Sequence, residues 1–277
     1  SADDGGVTLY EWDCDANGTF EIGASTPVSS CFWADDGSYS VTLRVTDASG
    51  QQATDTAAVT VLNQAPTVTI TGGQSSYGEG QLATWTLSLS DPSPVDQAGL
   101  VVVWALSDSA GAVVGTASTT GVSVQIPDEG SYTLIATVTD PDGGVGTATR
   151  NLVGVNLAPS VFLSGPTAAQ EGTPLSFVAS GSDPGPLDVL TSTYTITRFG
   201  AGIVASGTGS LIAWTPPDEG AYVVNSTVTD PVGLSASSSV ALIVSNVAPQ
   251  ITSTPPTTAS EGAPLTYPPT ATDPGMD

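Results

Sequence analysis

The stretch Asp128-Glu-Gly-Ser-Tyr-Thr-Leu-Ile-Ala-Thr-Val-Thr-Asp140 combines a turn, a tyrosine and a strand of alternating apolar residues. Its Asp-x-Gly-x-Tyr pattern also occurs at 35–39 and 218–222, and its closing Val-Thr-Asp occurs at 45–47 and 228–230. Successive copies of the first pattern lie 93 positions (128 minus 35) and 90 positions (218 minus 128) apart. A repeat of this length predicts tandem domains.

Three shorter motifs recur with the same spacing and fix the register of the repeats. Asn-x-Ala-Pro occurs at 63–66, 156–159 and 246–249, Glu-Gly at 79–80, 171–172 and 261–262, and Asp-Pro at 91–92, 183–184 and 273–274. We therefore divide the chain into four segments. Residues 1–62 form the C-terminal part of a domain, 63–155 and 156–245 form two whole domains, and 246–277 carries the first strands of a further domain.

The segment 63–155 contains seven short runs that are alternating or rich in β-branched residues. They cover 66–71, 81–90, 99–107, 112–116, 122–126, 131–140 and 145–155. Turn residues separate these runs, and no window of useful length has helical periodicity. The pattern predicts an all-β chain of antiparallel sandwiches with essentially no helix.

The two end segments are complementary. Residues 1–62 lack the first two strands of a repeat, and 246–277 has those two strands and then stops. We expect both terminal domains to be incomplete, with strands like those of 246–277 completing 1–62. A longer chain of repeats or a second copy of this chain, adding a donor strand head to tail, would each satisfy that expectation.

Composition excludes several classes of function. The chain has 27 acidic residues against 3 basic ones, no His and a formal charge of −24, which disfavours nucleic acid and anionic membranes as partners. Without His or Lys, imidazole-based triads, imidazole metal sites and Schiff-base chemistry cannot form. No apolar run reaches the roughly 20 residues that a membrane helix needs. We therefore expect neither an enzyme nor membrane insertion in this segment.

Cys14 and Cys31 lie 17 positions apart, a spacing that a local disulfide could close. A tandem acidic β-protein is typical of secreted proteins, and an oxidising compartment preserves such bonds. We therefore expect the disulfide and an extracellular or cell-surface location.

The Asp-x-Gly-x-Tyr pattern has the spacing of a tyrosine corner, in which the phenol hydroxyl bonds to the backbone a few residues upstream. The corner residues are Tyr39, Tyr132 and Tyr222. Two positions after each tyrosine, where antibody domains have a cysteine, the chain has Val41, Leu134 and Val224. These sandwiches therefore rely on apolar packing between their sheets.

Three stretches of the first segment point to a family: Tyr10-Glu-Trp-Asp13, residues 35–41 and Leu-Arg-Val-Thr-Asp at 43–47. Through them the chain resembles PKD-type domains, immunoglobulin-like modules common in bacterial surface and secreted proteins, with cadherin-like repeats as relatives. The usual Trp-Asp-Phe-Gly-Asp-Gly motif of the family is only partly present, as Trp-Asp-Cys-Asp at 12–15.

An oxygen-rich loop near the start suggests a calcium site. Asp13, Asp15, Asn17 and Glu21 have the spacing of a calcium loop, and Gly18 stands at its bend. The twelfth position, where a bidentate Glu normally closes the shell, is Ala24. The alternative is an acidic turn closed by the disulfide.

A second set of acids recurs near strand ends and suggests calcium between domains. The residues are Glu79, Asp91, Asp140, Asp142, Glu171, Asp183 and Asp230. Converging carboxylates would favour a hard cation. The alternative is that these acids are turn formers.

The aromatic residues test whether the chain binds carbohydrate. Two sets recur at repeat positions, Trp85, Phe177 and Tyr267, and Trp12, Trp104 and Tyr194, which predicts core packing. Trp33 and Trp214 have no equivalents and are expected at the surface or against a neighbouring domain.

The favoured function is a structural segment of an extracellular fibre, stalk or surface filament of head-to-tail domains. The alternative is an adhesin or a carbohydrate- or protein-binding accessory module.

Overall fold

A computed structural model describes residues 6–275, and this part of the chain is almost entirely β-structure. The first repeat has one sheet, with strand order β2-β1-β3-β4. Its strands are β1 Val7–Asp13, β2 Ile22–Ala24, β3 Gly37–Asp47 and β4 Gln52–Val61. No hydrophobic side chain among residues 6–62 is fully buried, because a second sheet does not cover this one within the described residues.

The second repeat has two sheets, ordered β10-β7-β5 and β6-β12-β11-β8-β9. Its elements are β5 Thr67–Thr71, β6 Ser76–Gly78, β7 Leu82–Ser90, α1 Pro94–Gln97, β8 Val101–Asp108, β9 Val113–Ala117, β10 Gly121–Gln125, β11 Gly130–Thr139 and β12 Val145–Val155. Each of the seven expected strands is present within two residues at either end.

The sequence reading missed two elements of this repeat. Strand β6 has only three residues, too few to show an alternating pattern. The expectation of no helix overlooked α1, a single turn that begins after Ser93, whose Oγ accepts the N–H of Asp96 at 3.1 Å. This is N-capping followed by Pro94 at the first helical position, a local signal for a helix start.

The third repeat has the same arrangement, with sheets β13-β15-β18 and β14-β20-β19-β16-β17. Its strands are β13 Ser160–Ser164, β14 Ala168–Gln170, β15 Leu175–Ser182, β16 Thr191–Arg198, β17 Gly202–Thr208, β18 Leu211–Trp214, β19 Gly220–Thr229 and β20 Ser235–Ser245. Strand β14 runs parallel to β20, and the remaining pairs with a defined register are antiparallel. After this repeat, β21 Gln250–Ile251 pairs with β22 Ala271–Thr272.

The core of the third repeat lies between its two sheets. Alternate residues of β19 point inward, so that Tyr222, Val224 and Val228 are buried. Tyr222 and Val224 pack in a cluster with Phe177, Ile196, Ile212 and Leu242. Burying each large apolar side chain contributes about 1.5–3 kcal/mol. This period-two burial is what the alternating sequence predicted.

The expected core aromatics are buried where both sheets are present. Trp85, Trp104 and Phe177 are each at most 1% exposed, and Tyr194 packs against the core of the third repeat. Trp12 and Tyr267 are only half-buried. They belong to the two end segments, which have a single sheet each within the described residues.

By compactness the chain divides into two units. The first comprises the chain up to Ser75 with Leu82–Val124 and Gly130–Val153. The second comprises Ser76–Gln81, Gln125–Glu129 and the chain from Gly154 onward. Within residues 6–275, no helix is long and apolar enough to cross a membrane.

The expected disulfide is present. Cys14 and Cys31 are bonded, with their Cα atoms 5.8 Å apart, and the bond closes the loop between β1 and β3. Because the first repeat has no buried apolar core within the described residues, this covalent link carries a larger share of its stability than it would in a complete sandwich.

Replacing both cysteines, Cys14→Ala with Cys31→Ala, is expected to destabilise the first repeat by about 3 kcal/mol. Denaturant unfolding followed by tryptophan fluorescence would measure the loss. A reductant should reproduce it in the native protein and have no further effect on the double variant. A loss below about 1 kcal/mol would mean that the loop is held by other contacts.

Candidate metal centres

The acidic loop after β1 brings together three of the four residues expected there. Carboxylate oxygens of Asp13, Asp15 and Glu21 lie within 4.8 Å of one another. Asp13 is 4% exposed; its Oδ2 accepts the Gly18 N–H at 3.0 Å, and its Oδ1 has no hydrogen-bond partner. The Asn17 carboxamide oxygen accepts the Thr19 N–H at 2.7 Å, so its oxygen is engaged by the backbone.

Asp140 and Asp230, two of the expected calcium ligands, accept hydrogen bonds from asparagine side chains and from backbone N–H groups of their own turns. Both Asp140 oxygens accept hydrogen bonds from the Asn63 side chain, at 3.1 and 3.0 Å, and Oδ1 also accepts the Gly144 N–H at 2.7 Å. Asp230 accepts the Asn156 side chain at 3.0 Å and the Leu234 N–H at 2.9 Å. Each carboxylate accepts at least three hydrogen bonds from N–H donors, and within residues 6–275 neither belongs to a carboxylate cluster.

The Asn–Asp pairs explain why two of the sequence motifs recur together. In each pair, the asparagine comes from Asn-x-Ala-Pro and the aspartate from Val-Thr-Asp of the same repeat. Burial alone would raise the pKa of Asp230, but hydrogen bonds from Asn156 and from the backbone N–H groups of 232–234 outweigh it. The pKa of Asp230 is therefore held below its ordinary value of 3.8.

Glu79 and Glu171, the acids of the Glu-Gly motif, bind the linker that starts the following repeat. Glu79 Oε1 accepts the Leu157 N–H at 2.7 Å, and Glu171 Oε1 accepts the Val247 N–H at 2.7 Å. Each side chain is at most 2% exposed, and in each the second oxygen, Oε2, has no hydrogen-bond partner. One oxygen thus fixes the linker while the other lies buried and unused.

The glycine of the Glu-Gly motif meets the proline of the Asp-Pro motif. A Cβ on Gly80 would lie 2.3 Å from the Pro184 carbonyl oxygen, and one on Gly172 would lie 2.6 Å from Pro274 Cβ. Both glycines also have a left-handed backbone, with φ of +71° and +72°. The two motifs recur together because they form one contact.

Glu79 belongs to a cluster of four carboxylates within the second unit. Oxygens of Glu79, Asp128, Glu129 and Asp188 lie within 4.8 Å of one another. Burial raises the pKa of Glu79, the Leu157 N–H opposes this, and the charges of Asp188, Asp183 and Asp128 raise it further. Contact with Asp128, together with burial, raises the pKa of Glu129 to about 6.

A related cluster lies within the first unit, formed by Asp35, Asp36, Asp96 and Asp142. Asp96 is 1% exposed, and its Oδ1 has no hydrogen-bond partner. Burial raises the pKa of Asp36, and the charges of Asp142 and Asp35 add to this. Asp142 is therefore the member of the expected inter-domain set that joins this cluster.

Sequence reasoning selected Asp183 but did not select Asp35, Asp36, Asp96, Asp128, Glu129 or Asp188 as metal ligands. The signal that could have found them is acidity at equivalent positions: Asp35 and Asp128 differ by 93, Asp36 and Glu129 by 93, and Asp96 and Asp188 by 92. The Asp-x-Gly-x-Tyr pattern places Asp35 and Asp128 at a tyrosine corner and indicates no role for their carboxylates.

The tyrosine corners are formed by backbone acceptors. The Tyr39 hydroxyl donates to the Asp35 carbonyl at 3.1 Å, and the Tyr222 hydroxyl donates to the Asp218 carbonyl at 2.8 Å. Tyr132, at the equivalent position, is 4% exposed. The corners of Tyr39 and Tyr222 thereby fix the acidic pairs at 35–36 and 218–219.

Trp33 and Trp214, the two rings on which carbohydrate binding depended, are half-buried and pack on the tyrosine of their own repeat. The Trp33 and Tyr39 ring centroids are 5.4 Å apart, and those of Trp214 and Tyr222 are 5.1 Å apart. The Trp33 Nε1 also donates to the Cys14 carbonyl at 3.1 Å. These rings support the corners and do not form an exposed platform.

The fold and these corners define a tandem series of immunoglobulin-like sandwiches. Residues 1–61 match the family model described as "PKD domain", which confirms the resemblance for this part of the chain. No curated protein matches the sequence.

Several solved structures are similar at low identity. The tetra-tandem repeat in the extending region of a large adhesion protein is 19% identical, covering 90% of this chain and 69% of that one, with a TM-score of 0.40. Amphioxus IgVJ-C2 is 17% identical, covering 61% and 99%, with a TM-score of 0.33. The Clostridium thermocellum CbhA fibronectin(III)-like modules are 16% identical, covering 64% and 93%, with a TM-score of 0.27. Similarity at this level carries no argument about function.

Replacing the linker asparagine, Asn156→Ala, is expected to cost about 1–3 kcal/mol at neutral pH, because the buried Asp230 carboxylate loses a donor. A carboxylate with a lowered folded pKa stabilises the fold above its unfolded pKa and loses that contribution as pH falls. The difference between variant and native protein should therefore shrink as pH falls below 3.8 toward the lower pKa of Asp230 in the folded protein. Thermal unfolding at several pH values would measure it, and a pH-independent difference would contradict the assignment.

Replacing Gly80 by alanine is expected to destabilise the second unit more than the same change at Gly262, its repeat equivalent. Both positions have a left-handed φ, +71° and +77°, but a Cβ on Gly262 meets nothing within 4 Å. The backbone strain of about 1–2 kcal/mol is therefore common to both variants. The clash with Pro184 should add about 1–3 kcal/mol in Gly80→Ala alone, measurable by thermal denaturation. Equal losses would show that the proline contact is unimportant.

Proposed function

We propose that this chain is a structural segment of an extracellular fibre, stalk or surface filament, in which immunoglobulin-like repeats follow one another head to tail. The observation that carries the proposal is the repeated linker bond, Glu79 to Leu157 N–H and Glu171 to Val247 N–H, both at 2.7 Å. The same motif thus fixes the start of the next repeat twice. A protein segment whose role is to hold other parts at a distance, here called a spacer, needs reproducible links between successive domains more than it needs a ligand-binding pocket.

The recurring motifs of this sequence are used for structure. Asn-x-Ala-Pro pairs with Val-Thr-Asp, Glu-Gly contacts Asp-Pro, and Asp-x-Gly-x-Tyr forms corners. A protein selected for binding through one domain would have no need for the same linker contacts in each repeat. The chain has neither His nor Lys, which agrees with a role that involves no catalysis.

The disulfide supports an extracellular location, because such bonds persist in oxidising compartments. The first repeat also supports head-to-tail continuation. Its single sheet leaves the apolar side chains of β1 and β3 half-buried or exposed, and strands like those of 246–277 would cover them if another repeat or another copy supplied them. The proposal includes calcium at the loop of Asp13, Asp15 and Glu21, where the buried Asp13 Oδ1 lacks a partner.

Small-angle X-ray scattering of the chain would test the extended arrangement. At roughly 40 Å per sandwich, three domain lengths in a row span about 120 Å and give a radius of gyration of about 35 Å. A compact globular protein with the same number of residues would have a radius of gyration of about 19 Å. The larger value is expected, and a value near the smaller one would contradict a spacer function.

A further inference from the structure

The cluster around Glu79 contains buried oxygens with no hydrogen-bond partner. These are Glu79 Oε2, Glu129 Oε2 and Asp188 Oδ2, and Asp183, whose charge acts on both Glu79 and Asp188, adds its Oδ2. Glu79 itself is 1% exposed. Buried carboxylate oxygens are ordinarily paired with donors, because an unpaired one keeps its desolvation penalty. Several in one place indicate a ligand that the protein chain does not supply.

The chain has no spare positive side chain to neutralise these acids. It contains three arginines and neither Lys nor His. Arg44 pairs with Glu11 at 2.8 Å, Arg150 donates to the Gly72 carbonyl at 2.6 Å, and Arg198 pairs with Asp218 at 2.7 Å. Protons or a bound cation are therefore what remains to relieve the repulsion.

We propose that Glu79, Asp128, Glu129 and Asp188, together with Asp183, bind a divalent cation of the calcium type. Calcium takes about six to eight oxygen ligands and accepts flexible geometry with carboxylates, which matches a group of five acids from separate segments. One further feature favours binding over simple repulsion: Glu79 is already held in place through its other oxygen by the Leu157 N–H, at 2.7 Å.

Gly185 keeps the space between these oxygens open. A Cβ at this position would lie 2.6 Å from Glu79 Oε2 and 3.1 Å from Asp188 Oδ2. The Gly185 N–H also donates to Asp183 Oδ1 at 2.9 Å, which fixes that carboxylate and leaves its Oδ2 without a hydrogen bond. The local turn therefore orients one ligand and leaves room beside two others.

The same arrangement occurs one repeat earlier, within the first unit. Asp35, Asp36 and Asp96 are equivalent to Asp128, Glu129 and Asp188, and Asp142 completes the earlier cluster. Asp96 is 1% exposed with an unpartnered Oδ1. The next cluster along the chain, Glu171 with Asp218 and Glu219, differs because Arg198 binds Asp218 there. An arginine thus pairs with an acid of this cluster, whereas we propose a cation for the cluster around Glu79.

Calorimetric titration of the full chain with calcium chloride, after removal of metals with EDTA, tests this assignment. The test variant is Glu129→Gln with Asp188→Asn. The control is Glu261→Gln with Asp55→Asn, which removes the same two charges from exposed carboxylates outside the clusters. The test variant should lose about one calcium site, or bind there at least about tenfold more weakly, and the control should match the native protein.

Thermal unfolding of the same proteins gives a readout that a merely structural role would not. In EDTA the test variant should melt above the native protein, because two repelling charges are gone. With calcium the native protein and the control should gain stability, and the test variant should gain less. Far-UV circular dichroism confirms that each variant is folded.

Three results would overturn the assignment. These are an absence of calcium binding to the native chain, an unchanged number and affinity of sites in the test variant, and a test variant that melts lower in EDTA yet keeps the full calcium gain. An equal response to magnesium at the same concentration would overturn the choice of calcium. The inference does not depend on the proposed spacer function, because a compact particle in the scattering experiment would leave the calcium result unaffected.

Discussion

The structure depends on how its buried carboxylates are satisfied. A carboxylate in a protein interior is stable only if donors or cations replace the water that it has lost. In this chain, Glu79 and Glu171 each receive one backbone N–H from the linker that begins the next repeat. The requirement to satisfy each glutamate thus becomes a constraint on where the following linker lies. The glycine that follows each glutamate allows the close approach of a proline, which completes the contact.

The acids fall into two groups that sequence alone did not distinguish. Asp140 and Asp230 are surrounded by N–H donors from an asparagine and from their own turn, and their pKa values are lowered. Glu79, Glu129 and Asp188 have acidic neighbours and few donors, and their pKa values are raised. The protein chain itself supplies hydrogen-bond donors to the carboxylates of the first group, whereas the second group has carboxylate oxygens without a hydrogen-bond partner. That contrast separates structural carboxylates from candidate ligands more sharply than their position near strand ends.

Different repeats are stabilised by different interactions, some by an apolar core and others by a disulfide and polar contacts. In the third repeat, a cluster around Phe177, Ile196 and Tyr222 fills the space between two sheets. The first repeat has one sheet in the described chain, and it relies on the Cys14–Cys31 bond and on polar contacts such as Arg44 with Glu11. A single sheet without a partner sheet cannot bury its inward side chains. Trp12 is therefore half-buried, although its equivalent Trp104 is fully buried.

The sequence by itself determined the fold class, the strands of the second repeat to within two residues and the disulfide, because periodicity, turn residues and spacing act locally. It missed β6 and α1, which are too short for periodicity to reveal. Only the tertiary structure decided which acids come together. Asp128, Asp183 and Asp188 are far apart in sequence from Glu79, and folding places their charges near it. Asp140 looked equally suitable, but the Asn63 side chain, 77 residues away, occupies its oxygens. Such pairings depend on distances between separate strands and turns, which a local pattern does not contain.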